Sequence, residues 1–506
     1  MSTRRKPNIV LIYADDLGRG MLSCYGQRII ETPNIDRIAS GGMRFTRSYG
    51  CVLCAPARAS MLMGMHDCHA GAYTFNTAGI YKKISTGEMA PAEIAEVIHT
   101  TGLQARPGEV FLAEVARRAG YVTGEIGKLE WGFATTAERI RRHGWDYHFG
   151  YYDHQRCHGF FPPFLFEDGE LVEIAGNTHV DCGKGSGVET PANAERRHDM
   201  RGKAVYSQDL FEEKILQFLR SHRDEPFFLF HPSQLPHGPI CVPEVHGTAR
   251  RAPGLTEFER EYASMVLRLD DTVGLILDEL DRLGLTENTL VMFCADNGHE
   301  VYAIEAGRCS GGNRDLNGVA YDNVETRFYS ELSGDVFNGN GSLAGLKRSS
   351  WEGGTRIPFV ARWPGRIAEG CVSDRMIANY DLLPTVADLV GGPTPEGKDG
   401  ISFAPELLGD AGRPAHEYVV TAANIGPALV TDDGWKLRRL NERDAFQLYD
   451  LNADPREERD LAGDNAAVVR RLADRLLTAC DGSYQHGTTH HHRVQIDLEA
   501  LPSASR

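Results

Sequence analysis

The sequence predicts an α/β protein with a large, mostly parallel central sheet flanked by helices, followed by a smaller C-terminal α+β domain. Short, wholly apolar runs typical of buried strands alternate with segments whose apolar residues recur at helical spacing. Polar groups directly follow several of these runs, as expected where parallel strands end at one edge of a sheet. The length of 506 residues also exceeds what one hydrophobic core usually serves, which predicts two domains.

The predicted elements alternate between short strands and longer amphipathic helices. Strands are expected at 8–14, 226–230, 289–295 and 357–361, where apolar residues run without interruption. Helices are expected at 112–119, 210–219 and 262–283, with Asp209 and Thr256 as candidate N-caps of the last two. The segments 65–110, 145–205 and 298–342 are rich in Gly, His, Asn and Tyr and are predicted to form irregular walls of a pocket.

A change of pattern near residue 412 predicts the start of the smaller domain. A Gly/Asp/Pro-rich stretch at 410–414 precedes short strand-like runs at 418–422, 435–440 and 447–451. An amphipathic helix is expected at 466–479. We therefore place the larger domain at residues 1–412 and the α+β domain with its tail at residues 413–506.

The composition is that of an ordinary globular protein and excludes several classes of partner. The hydrophobic fraction of 42% and the charged fraction of 25% lie outside the disordered and fibrous ranges. The net charge of −16 gives no overall attraction for nucleic acid or an anionic membrane, so an anionic substrate must meet a local cluster of cations. No apolar run reaches the roughly 18 residues that span a bilayer and no signal peptide is evident, so we expect a soluble, cytoplasmic protein.

Two pairs of oxygen ligands follow predicted buried strands. Asp15 and Asp16 come directly after the first strand, and Asp296 and Asn297 come directly after the strand at 289–295. Carboxylate and amide oxygens suit a hard divalent cation, Ca²⁺ in particular. A glycine shortly after each pair would let the backbone turn back toward the ion. The alternative is that the pairs only cap helices.

A short motif around Cys54 carries the most specific signal. The chain has eleven cysteines at spacings that fit neither a zinc ribbon nor a small disulfide scaffold, so most are expected to be reduced. The segment 54–58 reads Cys-Ala-Pro-Ala-Arg and resembles the Cys-x-Pro-x-Arg signature of the sulfatase family. In that family the cysteine is oxidised to formylglycine, whose hydrated aldehyde offers one hydroxyl for attack and another for release. Ala57 and Met63 replace the family's usual Ser and Thr, and the alternative is a buried cysteine beside a turn proline.

Further segments along the chain are similar to sulfatase motifs. Lys128 ends the segment 121–128, Lys347 precedes the Glu-Gly-Gly-Thr-Arg-Ile-Pro segment at 352–358, and His237 lies in Pro-His-Gly-Pro. The early segment 33–36 and the late segments 381–385 and 448–455 also match family patterns. The resemblance therefore covers most of the chain and implies an alkaline-phosphatase-like fold.

The resemblance also implies a reaction and its site. One Ca²⁺ would be held by Asp15, Asp16, Asp296, Asn297 and the formylglycine (3-oxoalanine) derived from Cys54. Arg58 would position that residue, Lys128 and Lys347 would hold the sulfate group, and His237 would protonate the departing alcohol. Arg356 is expected to pair with a structural carboxylate instead. The implied enzyme is a sulfuric ester hydrolase that acts on a sulfated saccharide or small molecule, aryl sulfates included, after maturation by a formylglycine-generating enzyme.

One position departs from the family pattern. The family reads Gly-Lys-Trp-His-Leu-Gly, whereas this chain reads Gly-Lys-Leu-Glu-Trp-Gly at 127–132, so Glu130 replaces the second catalytic histidine. A carboxylate with a raised pKa could accept the same proton, which makes Glu130 a candidate base. It could instead point outward and leave this role to another group.

Two other functions stay open at this point. A phosphonate or phosphate ester hydrolase could use the same scaffold, although related enzymes of that kind tend to have His where this chain has Asn297. A sulfated-glycan binder that lost its chemistry is the second alternative. Oligomeric state is not predicted. Seven residues in the irregular segments are candidates for sugar contacts, namely His66, His69, Tyr73, Trp131, His154, Arg156 and His158.

Overall fold

The computed structural model describes residues 5–71, 78–101, 105–129, 132–182, 191–302, 315–320, 326–410, 412 and 414–489. Its strands are β1 Asn8–Ala14, β2 Met43–Tyr49, β3 Val122–Gly127, β4 Tyr147–Gly150, β5 Phe164–Glu167, β6 Glu170–Glu173, β7 Phe227–Pro232, β8 Thr289–Ala295, β9 Arg356–Arg362, β10 Cys371–Ala378, β11 Tyr418–Thr421, β12 Ala428–Thr431, β13 Trp435–Leu440 and β14 Ala445–Asp450. Its α-helices are α1 Pro33–Ser40, α2 Cys54–Met63, α3 Lys82–Ser85, α4 Pro91–Thr101, α5 Leu112–Arg118, α6 Ala137–Arg142, α7 Pro191–His198, α8 Ser207–Ser221, α9 Gly247–Arg251, α10 Glu257–Arg282, α11 Glu352–Thr355, α12 Leu382–Val390, α13 Ala404–Leu407 and α14 Ala466–Ala479.

A ten-stranded sheet forms the centre of the molecule. Its order is β10-β2-β9-β8-β1-β7-β3-β4-β5-β6. The five strands from β8 to β4 are mutually parallel, whereas β9 is antiparallel to β8 and β2, and β5 and β6 are added antiparallel at the far edge. The predicted α/β architecture with a mostly parallel centre is therefore confirmed.

Helices cover both faces of this sheet. Alternate residues of β1 enter two different apolar clusters, with Val10 and Ile12 in one and Ile9 and Leu11 in the other. Helices α1, α8 and α10 contribute to the first cluster, and α2, α4, α5 and α12 contribute to the second. Because both faces are buried, the central strands need apolar residues at every position, which explains their uninterrupted apolar runs.

The three predicted helices of the larger domain are present; α5 begins at the predicted residue, whereas α8 and α10 begin earlier than expected. Helix α10 starts at Glu257 instead of residue 262, since its charged first turn lies outside the apolar pattern. Thr256 is its N-cap in a capping box with Glu259, as predicted. Asp209 was wrongly predicted to be a cap: it lies in the first turn of α8, where it pairs with Arg268 at 2.6 Å.

The C-terminal part forms a separate antiparallel sheet. Its strands are ordered β11-β12-β13-β14, and α14 packs on them through Leu472 and Leu476. The bounds of β13 and α14 equal the predicted ones, while β12 was not predicted. The smaller α+β domain is thus confirmed, and its limits at 413–506 stay a prediction.

Two segments that were predicted to be irregular contain regular structure. The range 65–110 includes α3 and α4, and the range 145–205 includes β4, β5, β6 and α7. These strands are only four residues long, and the polar sequence of β6 hid its pairing. Strands β2 and β10 were also missed because charged residues interrupt their apolar pattern.

The described cysteines are free thiols, and all but Cys24 and Cys371 are buried, as expected. Within the described ranges, no helix combines the length and apolar character needed to cross a membrane.

Candidate active site

The two pairs of oxygen ligands meet at the carboxyl ends of neighbouring strands. Strands β1 and β8 pair in parallel with Ala14 opposite Ala295, so the residues that follow them lie side by side. The Asp16 amide N–H donates to Asp296 Oδ1 at 3.0 Å, and Asn297 Nδ2 donates to Asp16 Oδ1 at 2.8 Å. The chain leaves β1 with Asp16 at φ 61°, a left-handed conformation that Asp tolerates better than most residues.

Gly298 brings a distant loop against this strand end. A Cβ at this position would lie 1.8 Å from the carbonyl oxygen of Gly353, so only glycine fits. The Gly298 N–H donates to the Gly354 carbonyl at 2.9 Å. The glycine was predicted to allow a turn toward an ion; its observed role is to admit the backbone of the Glu-Gly-Gly segment.

Helix α2 carries Cys54 and Arg58 to the same place. Cys54 is the first residue of the helix and Arg58 follows one turn later, and the whole helix is buried. Arg58 Nη2 lies 3.3 Å from Asp296 Oδ2. One ligand atom each of Cys54, Asp15 and Asp296 lies within 4.8 Å of the other two. The structure therefore brings the predicted nucleophile next to the predicted metal ligands.

Two buried lysines supply positive charge from other parts of the chain. Lys128 follows the end of β3 and its ammonium group contacts Asp15 Oδ2. Lys347 precedes α11, and its Nζ lies 2.6 Å from Asp16 Oδ2. Both predicted lysines thus face the cluster of carboxylates.

The charges in this cluster act strongly on one another. Burial alone would raise the pKa of Asp15, but Lys128, His237 and Arg58 hold it well below its usual range. For Asp16, Lys347 likewise outweighs burial and lowers the pKa. Burial and the neighbouring Asp15 raise the pKa of Asp296 well above its usual value. The basic side chains therefore compensate the charges of Asp15 and Asp16 but not that of Asp296, whose carboxylate would be stabilised by an added cation.

His237 lies beside the second lysine. Its Nε2 is 3.0 Å from Lys347 Nζ and 3.3 Å from Asp16 Oδ2. Its Nδ1 donates to the Gly238 carbonyl, which leaves Nε2 directed at the polar cluster. Burial, with a further contribution from Lys347, lowers the pKa of His237 to about 4.

Two more histidines lie in the site. His154 Nε2 is 3.7 Å from Cys54 Sγ, and His158 Nε2 is 3.2 Å from Lys128 Nζ. The rings of His158 and His237 are stacked with centroids 3.9 Å apart. The sequence marked both residues only as possible sugar contacts. The four-residue spacing of these two histidines was the available signal, but it does not reveal the contact with Cys54.

Tyr302 also contacts the metal-ligand pair, because its hydroxyl donates to Asp16 Oδ2. It was not predicted. Arg356 pairs with Glu352 at 3.4 Å, as expected for a structural role.

The remaining predicted residues have other locations. Arg156 is structural, since it donates to the Val180 carbonyl at 2.6 Å and its guanidinium lies over Phe164. His66 and His69 belong to a separate cluster with Asp399. Glu130, Tyr73 and Trp131 lie outside the described residues.

The donor set fits a hard cation. Asp15 Oδ1 and Asn297 Oδ1 are buried and receive no hydrogen bond from the described part of the chain. Buried oxygens without donors are costly unless an ion or another partner binds them. Asp15, Asp16, Asp296 and Asn297 supply the oxygen chemistry that Ca²⁺ prefers.

Comparison with protein families identifies the chain. A family model described as Sulfatase matches residues 7–392, a range that contains every residue of the site above. A model described as N-sulphoglucosamine sulphohydrolase, C-terminal, matches residues 346–481. The chain belongs to the sulfatase family. This sulfatase is therefore a hydrolase of sulfate esters.

Named sulfatases resemble this one over most of its length. An N-acetylgalactosamine-6-O-sulfatase of Bacteroides thetaiotaomicron is 27% identical, with 93% of each chain covered. Human arylsulfatase A is 32% identical over 82% of this sulfatase and 70% of its own chain.

Solved structures share the fold. One, from work on the metabolism of multiple glycosaminoglycans by Bacteroides thetaiotaomicron, has a TM-score of 0.69 and 25% identity, and it covers 94% of this sulfatase and 100% of its own chain. Another, a complex with its substrate D-glucosamine-2-N,6-O-disulfate, has a TM-score of 0.62 and 18% identity, and it covers 95% of this sulfatase and 99% of its own chain. These similarities confirm the predicted sulfatase fold.

Proposed function

We propose that this sulfatase removes sulfate from a sulfated carbohydrate, with a formylglycine made from Cys54 and one bound Ca²⁺. The observation that carries the proposal is the convergence of Cys54, Asp15 and Asp296, whose ligand atoms lie within 4.8 Å of one another. The name of the Bacteroides N-acetylgalactosamine-6-O-sulfatase, which matches over nearly the full length, supports a sugar substrate.

Asp15, Asp16, Asp296 and Asn297 would hold the calcium ion, and the modified Cys54 would be a further ligand. When present, the ion and the hydrated aldehyde supply Lewis-acid polarisation of the sulfate and a hydroxyl nucleophile at position 54. Because Cys54 is only 4% exposed in the folded protein, we expect a formylglycine-generating enzyme to act before α2 is packed.

The cations of the chain hold the sulfate group. Lys128 and Lys347 approach the carboxylates from different parts of the chain and are buried, so their charges act in a medium of low dielectric constant. Arg58 is fixed by Asp296 and orients residue 54 from one helical turn away. Pre-positioned charges of this kind stabilise negative charge that develops during the reaction.

His237 donates the proton that the departing alcohol needs. In the site as described the ring is neutral, because burial and Lys347 disfavour its charged form. A bound sulfate ester adds negative charge beside Nε2 and raises the pKa of the ring, which makes the proton available. Although burial opposes the charge of Lys347, Asp16 raises its pKa, so this ammonium group keeps its proton and acts as a fixed cation 3.0 Å from the same nitrogen.

The second proton transfer has two candidates. Glu130 stands in the family's histidine position, as the sequence predicts. His154 is favoured by its 3.7 Å distance from Cys54 Sγ. We therefore expect Glu130→Gln, or else His154→Gln, to slow the release of inorganic sulfate more than the release of the alcohol. Rapid-quench measurement of both products identifies the base as the residue whose variant gives an alcohol burst. A burst from neither variant would contradict both assignments.

Mass spectrometry of the 51–58 peptide tests the modification. We expect the mass of an aldehyde at position 54 together with turnover of an aryl sulfate, followed by activity on sulfated sugars. A peptide that retains an unmodified thiol in fully active enzyme would contradict the proposed nucleophile.

Aryl phosphonate turnover tests the alternative chemistry on the same scaffold. Asn297 supports sulfate over phosphonate, so aryl sulfate is expected to be the better substrate. A formylglycine-containing protein without any turnover would instead support the sulfated-glycan binder.

A further inference from the structure

A second cluster of metal-ligating side chains lies where three separate segments meet. We call it the junction cluster: His66, His69, Asp399 and Asp481. The two histidines follow the end of α2, Asp399 lies in the loop after α12, and Asp481 follows the end of α14. The cluster shares no residue with the active site.

Three of these side chains are spaced as ligands of one ion. His69 Nε2 lies 3.0 Å from Asp399 Oδ2, and His66 Nε2 lies 3.7 Å from the same oxygen. The two rings are nearly parallel, at 10°, with centroids 4.1 Å apart. All three ligand atoms lie within 4.8 Å of one another. A tetrahedral zinc site has bonds of about 2.0–2.1 Å and donors about 3.3 Å apart, and the ion lies in the plane of each imidazole ring. Binding therefore requires that His66 move toward Asp399 and that one ring rotate out of the stack.

Asp481 occupies the position of a supporting carboxylate. Both of its oxygens lie 3.2 Å from His69 Nδ1, on the side of the ring opposite Asp399. The Ala70 N–H donates to Asp481 Oδ2 at 2.9 Å and fixes the carboxylate. A carboxylate that holds the far nitrogen of a ligating histidine orients its ring and raises its basicity.

The protonation of the two histidines is compatible with metal binding. Burial lowers the pKa of His66 to about 4, so its ring is neutral. Although burial opposes protonation of His69, Asp399 and Asp481 raise its pKa. An ion that binds at Nε2 would displace the hydrogen bond between this nitrogen and Asp399. His69 and Asp399 are partly exposed, which gives an ion access from solvent.

We propose that His66, His69 and Asp399 bind one Zn²⁺ or a similar divalent transition-metal ion, with Asp481 as the carboxylate that orients His69. Two neutral imidazoles and a carboxylate suit such an ion better than Ca²⁺, which prefers oxygen. The fourth ligand would be water. The bound ion would tie the loop after the nucleophile helix to the loop after α12, and through Asp481 to the end of α14.

Zinc titration of the calcium-loaded, full-length enzyme tests the proposal. By calorimetry we expect His66→Gln and His69→Gln each to bind one Zn²⁺ fewer than the wild type. Asp481→Asn should retain the site with affinity reduced by about 10–100-fold. His222→Gln is the matched control, because His222 also pairs with a carboxylate, at 2.8 Å from Glu225, but lies outside the junction cluster. It should bind as the wild type does.

Equal zinc stoichiometry and affinity in the wild type and His69→Gln would overturn the site. If the histidine variants fail to fold, anomalous diffraction at the zinc edge from wild-type crystals replaces them. A peak between His66, His69 and Asp399 is expected, and its absence from zinc-soaked crystals would overturn the proposal. Neither readout depends on turnover, so the result is independent of the proposed carbohydrate substrate.

Discussion

Burial and two lysines act in opposite directions on the thiol of Cys54. Burial is the larger effect and raises the pKa of the thiol, although Lys128 and Lys347 favour the thiolate. An unmodified Cys54 is therefore a neutral thiol at pH 7 and a weak nucleophile. At the residue scale, a neutral thiol gives no support for cysteine-based catalysis and agrees with the proposed formylglycine.

Replacing His237 should change how the rate depends on the leaving group. We expect His237→Asn to lower kcat/KM for an alkyl sulfate by about 10²–10⁴-fold, because the poorly leaving alcohol needs the proton. The loss for 4-nitrophenyl sulfate should be much smaller. Steady-state kinetics on both substrates check this, with the surface variant His222→Asn as control. An equal loss on both substrates would show that His237 does not protonate the leaving group.

At the scale of elements, strand ends and helix starts position the functional groups. Asp15, Lys128 and Asp296 directly follow the ends of β1, β3 and β8, and α2 begins at Cys54. Helix α10 packs against α1 and α8 on one face of the sheet, and its Asp270 accepts the N–H groups of Asn34 and Ile35 at the start of α1. The long helix thus holds a second helix against the same face of the sheet.

Removing the cap of α10 should destabilise the fold without changing the site. In Thr256→Ala, the Glu259 N–H loses its acceptor, so the free energy of unfolding should fall by about 0.5–2 kcal/mol. Urea denaturation measures this, and Thr256→Ser, which keeps the hydroxyl, should lie close to the wild type. If serine and alanine destabilise equally, the hydroxyl does not act as a cap.

At the scale of the whole molecule, buried charges join the two sheets. Lys436 of β13 lies 2.9 Å from Glu352 and 3.0 Å from Glu457, and all three side chains are buried. Glu352 belongs to the Glu-Gly-Gly segment that packs on Gly298, so the C-terminal sheet supports the metal-ligand strand indirectly.

Loss of the buried charge of Lys436 should strongly destabilise the folded protein. Lys436→Met removes the cation that the buried Glu352 and Glu457 share, and we expect it to lower the free energy of unfolding by about 3–5 kcal/mol. Lys214→Met is the control, because that lysine forms a partly exposed pair with Glu167, and the expected loss is about 0–1 kcal/mol. Denaturant titration that finds the two variants equally stable would contradict the prediction.

A second contact joins the C-terminal sheet to the larger domain, and its contribution to stability should depend on pH. His416, just before β11, lies 2.7 Å from Asp381, just before α12. Burial of the ring opposes protonation, but Asp381 outweighs it and raises the pKa of His416. The pair therefore stabilises the fold fully below the unfolded pKa of about 6.5, and this contribution is lost as the pH rises through the folded value.

Thermal unfolding of His416→Gln tests this dependence. The difference in Tm between wild type and variant should be largest near pH 6 and should shrink toward pH 8.5. A difference that stays constant over this range would mean that the histidine acts through packing and not through its charge.

Local sequence determined the core elements and most of the candidate site. The bounds of β1, β8, β13 and α14 follow from the sequence, because buried parallel strands and an amphipathic helix each impose a periodicity that a short window shows. Asp15, Asp296, Cys54 and the lysines were found because each belongs to a short motif at the end of such an element.

Tertiary structure alone decided the contacts that join distant segments. His154 approaches Cys54 across 100 residues, and His69 meets Asp399 and Asp481 across 330 and 412 residues. No periodicity marks these side chains, because they lie outside the regular elements whose burial creates a pattern. The strands β2 and β10 escaped prediction for a related reason, since pairing with neighbours elsewhere in the chain outweighed their mixed local composition.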